Sequence, residues 1–189
     1  SVDQPAVFWE LLAQYFEDDI VGVYAVAFRI GIIGSFILIS INSAIGPTVS
    51  KYFSEGRKAE MIDHVRKTTK MGFWLTLPVI ILTLIFPELI LGLFGDEFET
   101  AAWPLMIILC GQFVNTLAGP TGIVLQLCGY QKPFRNIILV STVIAIALNY
   151  ILIPRFGMMG AAWANTISVL IWNIWSTILV NMKFGRTFF

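Results

Sequence analysis

Charged residues are scarce in this chain. Asp, Glu, Lys and Arg make up 13% of its 189 residues, against roughly 25% in an ordinary soluble domain, and the mean hydropathy is +0.80. This composition excludes a water-soluble enzyme. Twelve basic and twelve acidic residues cancel to a formal charge of zero, so the overall charge gives no indication of a nucleic-acid partner.

Metal-binding side chains are scarce as well. The two cysteines, Cys110 and Cys128, lie inside apolar runs with no histidine or carboxylate at ligand spacing, and His64 is the only histidine. A zinc site or a disulfide framework therefore has little support, and both cysteines are expected to be buried as small hydrophobic side chains. We predict no metal, no cofactor and no catalytic residue.

Long apolar runs without charge are, by contrast, abundant. Five of them are near the length of about 20 residues that a membrane helix needs. We predict an all-α integral membrane protein in which a domain over 22–182 holds five transmembrane helices, at about 22–49, 69–93, 101–128, 134–153 and 157–182. Pro78 and Pro120 predict kinks in the second and third of these helices.

The charged residues divide between the two ends of the predicted helices. Ten of the twelve basic residues fall in the loop between the first two helices, the loop between the third and fourth, or a tail over 183–189. Nine of the twelve acidic residues fall in an acidic lead-in over 1–21, interpreted as the remnant of a preceding helix, or in the segment 88–99. The positive-inside rule therefore places the lead-in outside the cytoplasm and the C-terminus inside it. In the first basic loop, charged and apolar residues alternate over 52–70, which predicts a short amphipathic helix at the membrane surface.

A single cation, Arg29, lies well inside a predicted span. It is seven residues into the first helix, about 10 Å along its axis, and a charge at that depth is costly unless it faces water or a partner. On a continuous helix, Ser40 and Ser43 share the face of Arg29, together with Phe36 and Pro47. We predict that this face lines a cavity; the alternative is an arginine that snorkels to the outer head groups.

Weaker polar faces occur on two other predicted helices. Gln112 and Asn115 share one on the third helix, and Asn165 and Ser168 share one on the fifth. Polar side chains in a bilayer usually face protein or water, so contact with a substrate and interhelical hydrogen bonding are both open for each of them. At membrane depth the spans hold no pair of carboxylates, the sole candidate being Glu88 near the outer end of the second helix, and no histidine or lysine. This favours a carrier or channel over an enzyme or a proton relay.

Several segments resemble polysaccharide flippases. They are 21–30 (VGVYAVAFRI), 42–47 (NSAIGP) with the basic stretch after it, 91–95 (LGLFG), 119–122 (GPTG) and 153–162 (IPRFGMMGAA). Their order and spacing, over about residues 21–182, are similar to the second half of O-antigen and lipid-linked oligosaccharide flippases. These flippases belong to the multidrug/oligosaccharidyl-lipid/polysaccharide exporter superfamily.

The resemblance implies most of one lobe of a two-lobe, MATE-like flippase fold in the cell inner membrane, with alternating access to a hydrophilic cavity. The partners it implies are an undecaprenyl-diphosphate-linked oligosaccharide as substrate, membrane lipid, and an N-terminal lobe outside this sequence. Arg29 matches a basic position that can face the cavity and pair with a diphosphate or an acidic sugar. Residues 1–20 depart from the family pattern, which has a complete helix there.

Two other functions fit the sequence less well than a flippase does. A cation-coupled multidrug exporter of the same superfamily requires an intramembrane carboxylate, and none lies deep within a predicted span, although the other lobe can supply one. A membrane-bound glycosyltransferase or polymerase requires an extramembrane loop with clustered carboxylates, and the acidic loop at 96–99 is too short to build one. The substrate-binding residues predicted for the flippase are Arg29, Ser40, Ser43, Gln112, Asn115 and Asn165.

Overall fold

A computed structural model describes residues 18–185 of the chain. Over these residues it is helical without a β-strand, and it consists of α1 (Asp18–Gly31), α2 (Ile33–Ser54), α3 (Lys58–Ile85), α4 (Pro87–Gly92), a 3-10 helix (Asp96–Ala101), α5 (Ala102–Ala118), α6 (Thr121–Leu127) and α7 (Gln131–Phe184). Most of the predicted lead-in and the last part of the tail lie outside the described residues. The prediction of an all-helical protein is confirmed.

Three helices of the described part are long and apolar enough to cross a membrane. These are Lys58–Ile85, Asp96–Ala118 and Gln131–Phe184, and there are four candidates if the bent pair Ile20–Gly31 and Ser35–Ser54 is counted as one span. The count of five spans is therefore not reached by helix length and composition, and it stays a prediction.

The first predicted span is not one continuous helix. The chain leaves α-helical geometry at Ile32 (φ −92°, ψ 1°), and the helices on the two sides of this break are bent by 46°. Glycines at 31 and 34 flank the break and weaken the helix there. At Gly31, a Cβ would lie 2.6 Å from the Cγ2 atom of Ile108, so α1 contacts α5 through a position that has no room for a side chain.

The third predicted span is broken as well. Gly119, with φ 67° and ψ −156°, ends α5, and Pro120 separates it from α6. This backbone conformation is open to glycine and costly for other residues. The kink expected at Pro120 is thus a complete break, whereas α3 runs through Pro78 and ends only at Ile85.

The last two predicted spans correspond to α7, which reverses direction at Gly157 (φ 57°, ψ −134°). A Cβ on Gly160 would lie 2.5 Å from the carbonyl carbon of Leu152. Eight residues of a straight helix would separate these positions by about 12 Å, so the arms 131–156 and 158–184 run back along one another near the turn.

The amphipathic segment at 52–70 is not a separate surface helix. α3 begins at Lys58, eleven residues before the predicted start at 69, and continues without interruption into the apolar part. Met61, Ile62 and Val65 are buried against residues of α2, α6 and α7. The apolar face of the segment therefore packs on the protein's own core rather than on lipid.

The basic segments meet at one end of the packed helices, called the basic end below. The Tyr52 ring contacts His64 (6.2 Å between centroids), and the Tyr130 ring contacts Phe184 (6.0 Å). These contacts and the shared core beneath them bring together the turn between α2 and α3, the turn between α6 and α7, and the end of α7. The acidic 3-10 helix lies at the other end, where its Phe98 and Ala101 pack in a second core cluster together with Met158.

Candidate substrate-facing residues

Arg29 lies in the last turn of α1, just before the break at Ile32. Its side chain is exposed, and within residues 18–185 it forms no salt bridge. The neighbouring Gly31 packs against Ile108, six residues into α5, which is about 9 Å along that helix. A cation at this position is favoured by the negative end of the α1 dipole, and its exposed guanidinium is available to an anion.

The predicted partners of Arg29 lie on an exposed face of α2. Ser40 and Ser43 are exposed, as are Phe36 and Pro47, with Phe36 at 64%. Because α1 and α2 are separate helices bent by 46°, the helical wheel that aligned Arg29 with these residues does not apply across the break. The face itself is nevertheless present on α2, uncovered by any other described part of the chain.

The two serine hydroxyls on this face are partnered within their own helix. Ser40 donates to the carbonyl oxygen of Phe36 (2.9 Å), and Ser43 donates to that of Ile39 (3.0 Å). Such bonds satisfy a hydroxyl in an apolar setting and leave its oxygen free to accept another hydrogen bond. The face is therefore mildly polar and can hydrogen-bond a ligand without losing its internal bonds.

Gln112 and Asn115 belong to a hydrogen-bond network inside the lobe. The Ser35 hydroxyl donates to Oε1 of Gln112 (2.8 Å), and Nδ2 of Asn115 donates to the same oxygen (3.3 Å). Nδ2 of Asn173 in turn donates to Oδ1 of Asn115 (3.2 Å). These bonds link α2, α5 and α7. Interhelical hydrogen bonding, one of the two roles that the sequence leaves open, therefore applies to Gln112 and Asn115.

Asn165 is half-buried on the second arm of α7 and lies apart from the network just described. Its neighbour Thr166 is buried and donates to the backbone oxygen of Ile107 across the interface with α5 (2.9 Å). Ser168 is also buried, and its hydroxyl donates to Ala164 within the helix (2.7 Å). The structure thus brings Gln112 and Asn115 together and leaves Arg29, the α2 face and Asn165 as separate features.

Two network residues, Ser35 and Asn173, were missed by the sequence argument. Asn173 is seven residues after the buried Thr166 and seven before the buried Val180, a spacing that returns to the same helix face. A search of the last helix at this period would have found it.

In the described part of the chain, no group of three or more His, Cys, Asp or Glu side chains is placed to hold a metal ion. Cys128 is buried as expected, and its sulfur lies 3.7 Å from that of Met61. Cys110 is exposed, because α5 turns it away from the core of the lobe. The prediction that both cysteines are buried is therefore wrong for Cys110.

The family model for MatE matches residues 7–151. The chain belongs to the MatE family. This match covers α1 to α6 and α7 as far as residue 151, including Arg29, the exposed face of α2, and Gln112 and Asn115 of the network. The resemblance to flippases of the exporter superfamily is confirmed, and the chain belongs to a family of membrane proteins.

Three similar proteins have names that describe a transport or biosynthetic role. The chain is 28% identical over 149 residues to "Probable low-salt glycan biosynthesis flippase Agl15" of Haloferax volcanii, with 78% of this chain and 32% of the relative covered. It is 29% identical over 150 residues to "Putative O-antigen transporter" of Shigella flexneri (77% and 34% covered). It is 26% identical over 155 residues to "Capsular polysaccharide biosynthesis protein CapF" of Staphylococcus aureus (78% and 37% covered).

The chain spans about a third of the length of these relatives. No solved structure matches it at a comparable level. The family and the names of the first two relatives, a glycan biosynthesis flippase and an O-antigen transporter, agree with the prediction that the chain is not an enzyme.

Proposed function

We propose that this chain is most of the second lobe of a flippase that moves a lipid-linked oligosaccharide or polysaccharide precursor across the cell inner membrane by alternating access. The observation that carries the proposal is its membership of the MatE family together with relatives named for glycan flipping and O-antigen transport. An undecaprenyl-diphosphate-linked oligosaccharide has the chemistry that fits, because its diphosphate is an anion and Arg29 is an exposed cation at membrane depth.

The lobe crosses the membrane five times in this proposal, and its C-terminus is cytoplasmic. The reversal at Gly157 supports two spans within α7, and α1 and α2 form a fifth, broken span. The clustering of the basic segments at one end supports the orientation, since loops rich in Lys and Arg stay in the cytoplasm. The other lobe, outside this chain, completes the cavity.

The substrate-binding residues divide into two groups in this proposal. Arg29, Ser40 and Ser43 contact the diphosphate and the first sugars from the exposed side of the broken first span, and Asn165 offers a further amide to the sugars. Gln112 and Asn115 act on the same surface through Ser35, because their hydrogen bonds hold the start of α2 against α5. Discontinuous helices are a common way for transporters to place charged or polar groups near the membrane midplane.

The test replaces Arg29 by Ala and by Lys in the full-length protein that contains this lobe. Translocation is measured as the amount of lipid-linked oligosaccharide exposed on the outer leaflet, and membrane levels are measured by blotting. Arg29→Ala is expected to lower translocation at least tenfold at unchanged membrane level, since a hydrogen bond to a charged group is worth about 1.5 to 3 kcal/mol. Arg29→Lys is expected to retain part of it.

The matched control is Arg155→Ala, which removes an exposed cation from the turn near Gly157 and is expected to leave translocation unchanged. Equal translocation by Arg29→Ala and the wild type would contradict the role of Arg29. Loss of drug resistance without any change in glycan export would instead favour the multidrug exporter.

A further inference from the structure

The cations of the basic end fall into two groups that differ in their partners. Arg57 pairs with Glu55 (2.9 Å between Nη1 and Oε2) and also with Glu60, and Lys67 pairs with Asp63 (2.7 Å). The hydrogen bonds that Arg57 donates to Glu60 and Glu55 raise the pKa of its guanidinium above its ordinary value. The acidic side chains of this end are thus already engaged by cations on the turn between α2 and α3 and on the start of α3.

The second group, Lys58 and Lys183, is left unpaired in the described part of the chain: Glu55 and Glu60, the acidic residues nearest to Lys58 in sequence, both pair with Arg57. Between residue 100 and the end of the chain there is no Asp or Glu. Lys183 is exposed in the last turn of α7, and Lys58 is exposed at the first residue of α3. Within residues 18–185 neither lysine forms a salt bridge, so both ammonium groups are available to an external anion.

Tertiary contacts bring these two lysines to the same turn, the one between α6 and α7. Nζ of Lys183 lies 5.3 Å from the centroid of the Tyr130 ring. Lys58 is one helical turn before Met61, whose sulfur contacts that of Cys128 (3.7 Å). Because Cys128 and Tyr130 are two residues apart, these contacts bring the start of α3 and the end of α7, and with them both cations, to one short turn.

The turn is held rigidly beneath them. The backbone N–H of Tyr130 donates to the carbonyl oxygen of Leu125 (2.8 Å), and the Tyr130 ring packs edge-on against Phe184. Phe134 fills the space at Gly122, where a Cβ would lie 2.8 Å from its ring. These rings are only partly buried and cover the core at this end of the lobe, as aromatic side chains do at a membrane–water interface.

We propose that Lys58, Lys183 and the Tyr130 turn form a binding site for the phosphate head group of an anionic phospholipid. Two ammonium groups supply the charge, the tyrosine hydroxyl supplies a hydrogen bond, and the partly exposed rings contact the first part of the acyl chains. Basic pockets between helices at one face of the membrane bind anionic head groups in this way. The site lies beyond the C-terminal end of α5, whereas Gly31, two residues after Arg29, packs against Ile108 six residues into that helix, so the site is separate from the proposed translocation surface.

The experiment is a titration of the full-length protein in detergent with phosphatidylglycerol, read by native mass spectrometry, with phosphatidylcholine as the neutral comparison. We expect phosphatidylglycerol to bind preferentially to the wild type. The double variant Lys58→Ala/Lys183→Ala is expected to bind it about 30-fold more weakly, since one lysine at an anionic head group contributes about fivefold. Tyr130→Leu, which removes the ring under Lys183, is expected to weaken it to an intermediate degree.

The matched control is Lys67→Ala/Lys70→Ala, which removes the same charge from positions that begin about 13 Å further along α3. It is expected to bind phosphatidylglycerol like the wild type. Equal weakening in both double variants would overturn the proposal and indicate attraction by net charge alone. Displacement of the lipid by inorganic phosphate at equal concentration would also overturn it, because it would identify a site for free anions. The readout does not involve transport, so failure here and failure of the proposed flippase function are distinguishable.

Discussion

The side-chain amide of Asn173 donates a hydrogen bond to the side-chain oxygen of Asn115 over 3.2 Å, and it joins α7 to α5 inside the lobe. Asn115 in turn donates to Gln112, which also accepts a hydrogen bond from Ser35 of α2. Apolar contacts between helices provide little driving force in lipid, so polar links of this kind help to set which helices pack together. The network fixes the rotation of α5 relative to its two neighbours.

We predict that Asn115 and Asn173 are energetically coupled. In a double-mutant cycle with alanine at each position, the coupling is expected to be about 0.6 kcal/mol and at most about 1.7 kcal/mol, the range found for interhelical hydrogen bonds in membranes. The measurement is the stability of the full-length protein in detergent. Ser168→Ala, whose hydroxyl bonds only within its own helix, is the control and is expected to show no coupling to Asn115. Additive effects at 115 and 173 would contradict the link.

We predict that alanine at Gly119 destabilises the lobe. The backbone of Gly119 (φ 67°, ψ −156°) is costly for an alanine, by about 1–3 kcal/mol. A Cβ would also lie 2.6 Å from the side chain of Thr69 on α3. The expected result is a lower melting temperature in a thermal-shift measurement. Gly22→Ala is the matched control, because that glycine is helical with open space around it, and it is expected to be neutral or stabilising. Equal melting temperatures for the two variants would count against the argument.

The sequence predicts the type of secondary structure well and the continuity of the helices poorly. Run length and the absence of charge are enough to identify helices, and Gly119 followed by Pro120 is a local signal for a break. The break at Ile32 has a weaker signal, because it depends on the close approach of Gly31 to Ile108 on another helix. A contact of that kind is set by tertiary packing, which a single segment does not encode.

The same reason explains the uneven result for the candidate site. The polar character of Gln112 and Asn115 is visible in the sequence, but their partners are on α2 and α7, and the pairing follows from how the helices are rotated. The face with Ser40 and Ser43 needs only the period of one helix, and it is found where expected, on the exposed side of α2. Its alignment with Arg29 required a continuous helix and is altered by the break.

We predict that the exposed serine face of α2 lines water in the assembled protein. With Cys110 and Cys128 replaced by alanine, Ser40→Cys and Ser43→Cys are expected to react with a membrane-impermeant maleimide, and added lipid-linked substrate is expected to slow the reaction. The control is Val143→Cys, which is also exposed (66%) but has only apolar exposed neighbours over 139–146. It is expected to face lipid and to react poorly, because thiolate formation is suppressed there. Similar labelling of all three positions would exclude a water-lined serine face.

The last prediction concerns the turn at Gly157. If α7 forms two spans, a reporter inserted after Arg155 lies on the opposite side of the membrane from one inserted after Lys132 or Lys183. The charge distribution supports this arrangement, because Arg155 is the only cation near Gly157, whereas Lys132, Arg135 and Lys183 lie at the basic end. We expect a periplasmic reporter such as alkaline phosphatase to be active after Arg155 and inactive after Lys132 and Lys183. Equal activity at all three positions would mean that α7 does not cross the membrane twice, and the five-span arrangement would then be wrong.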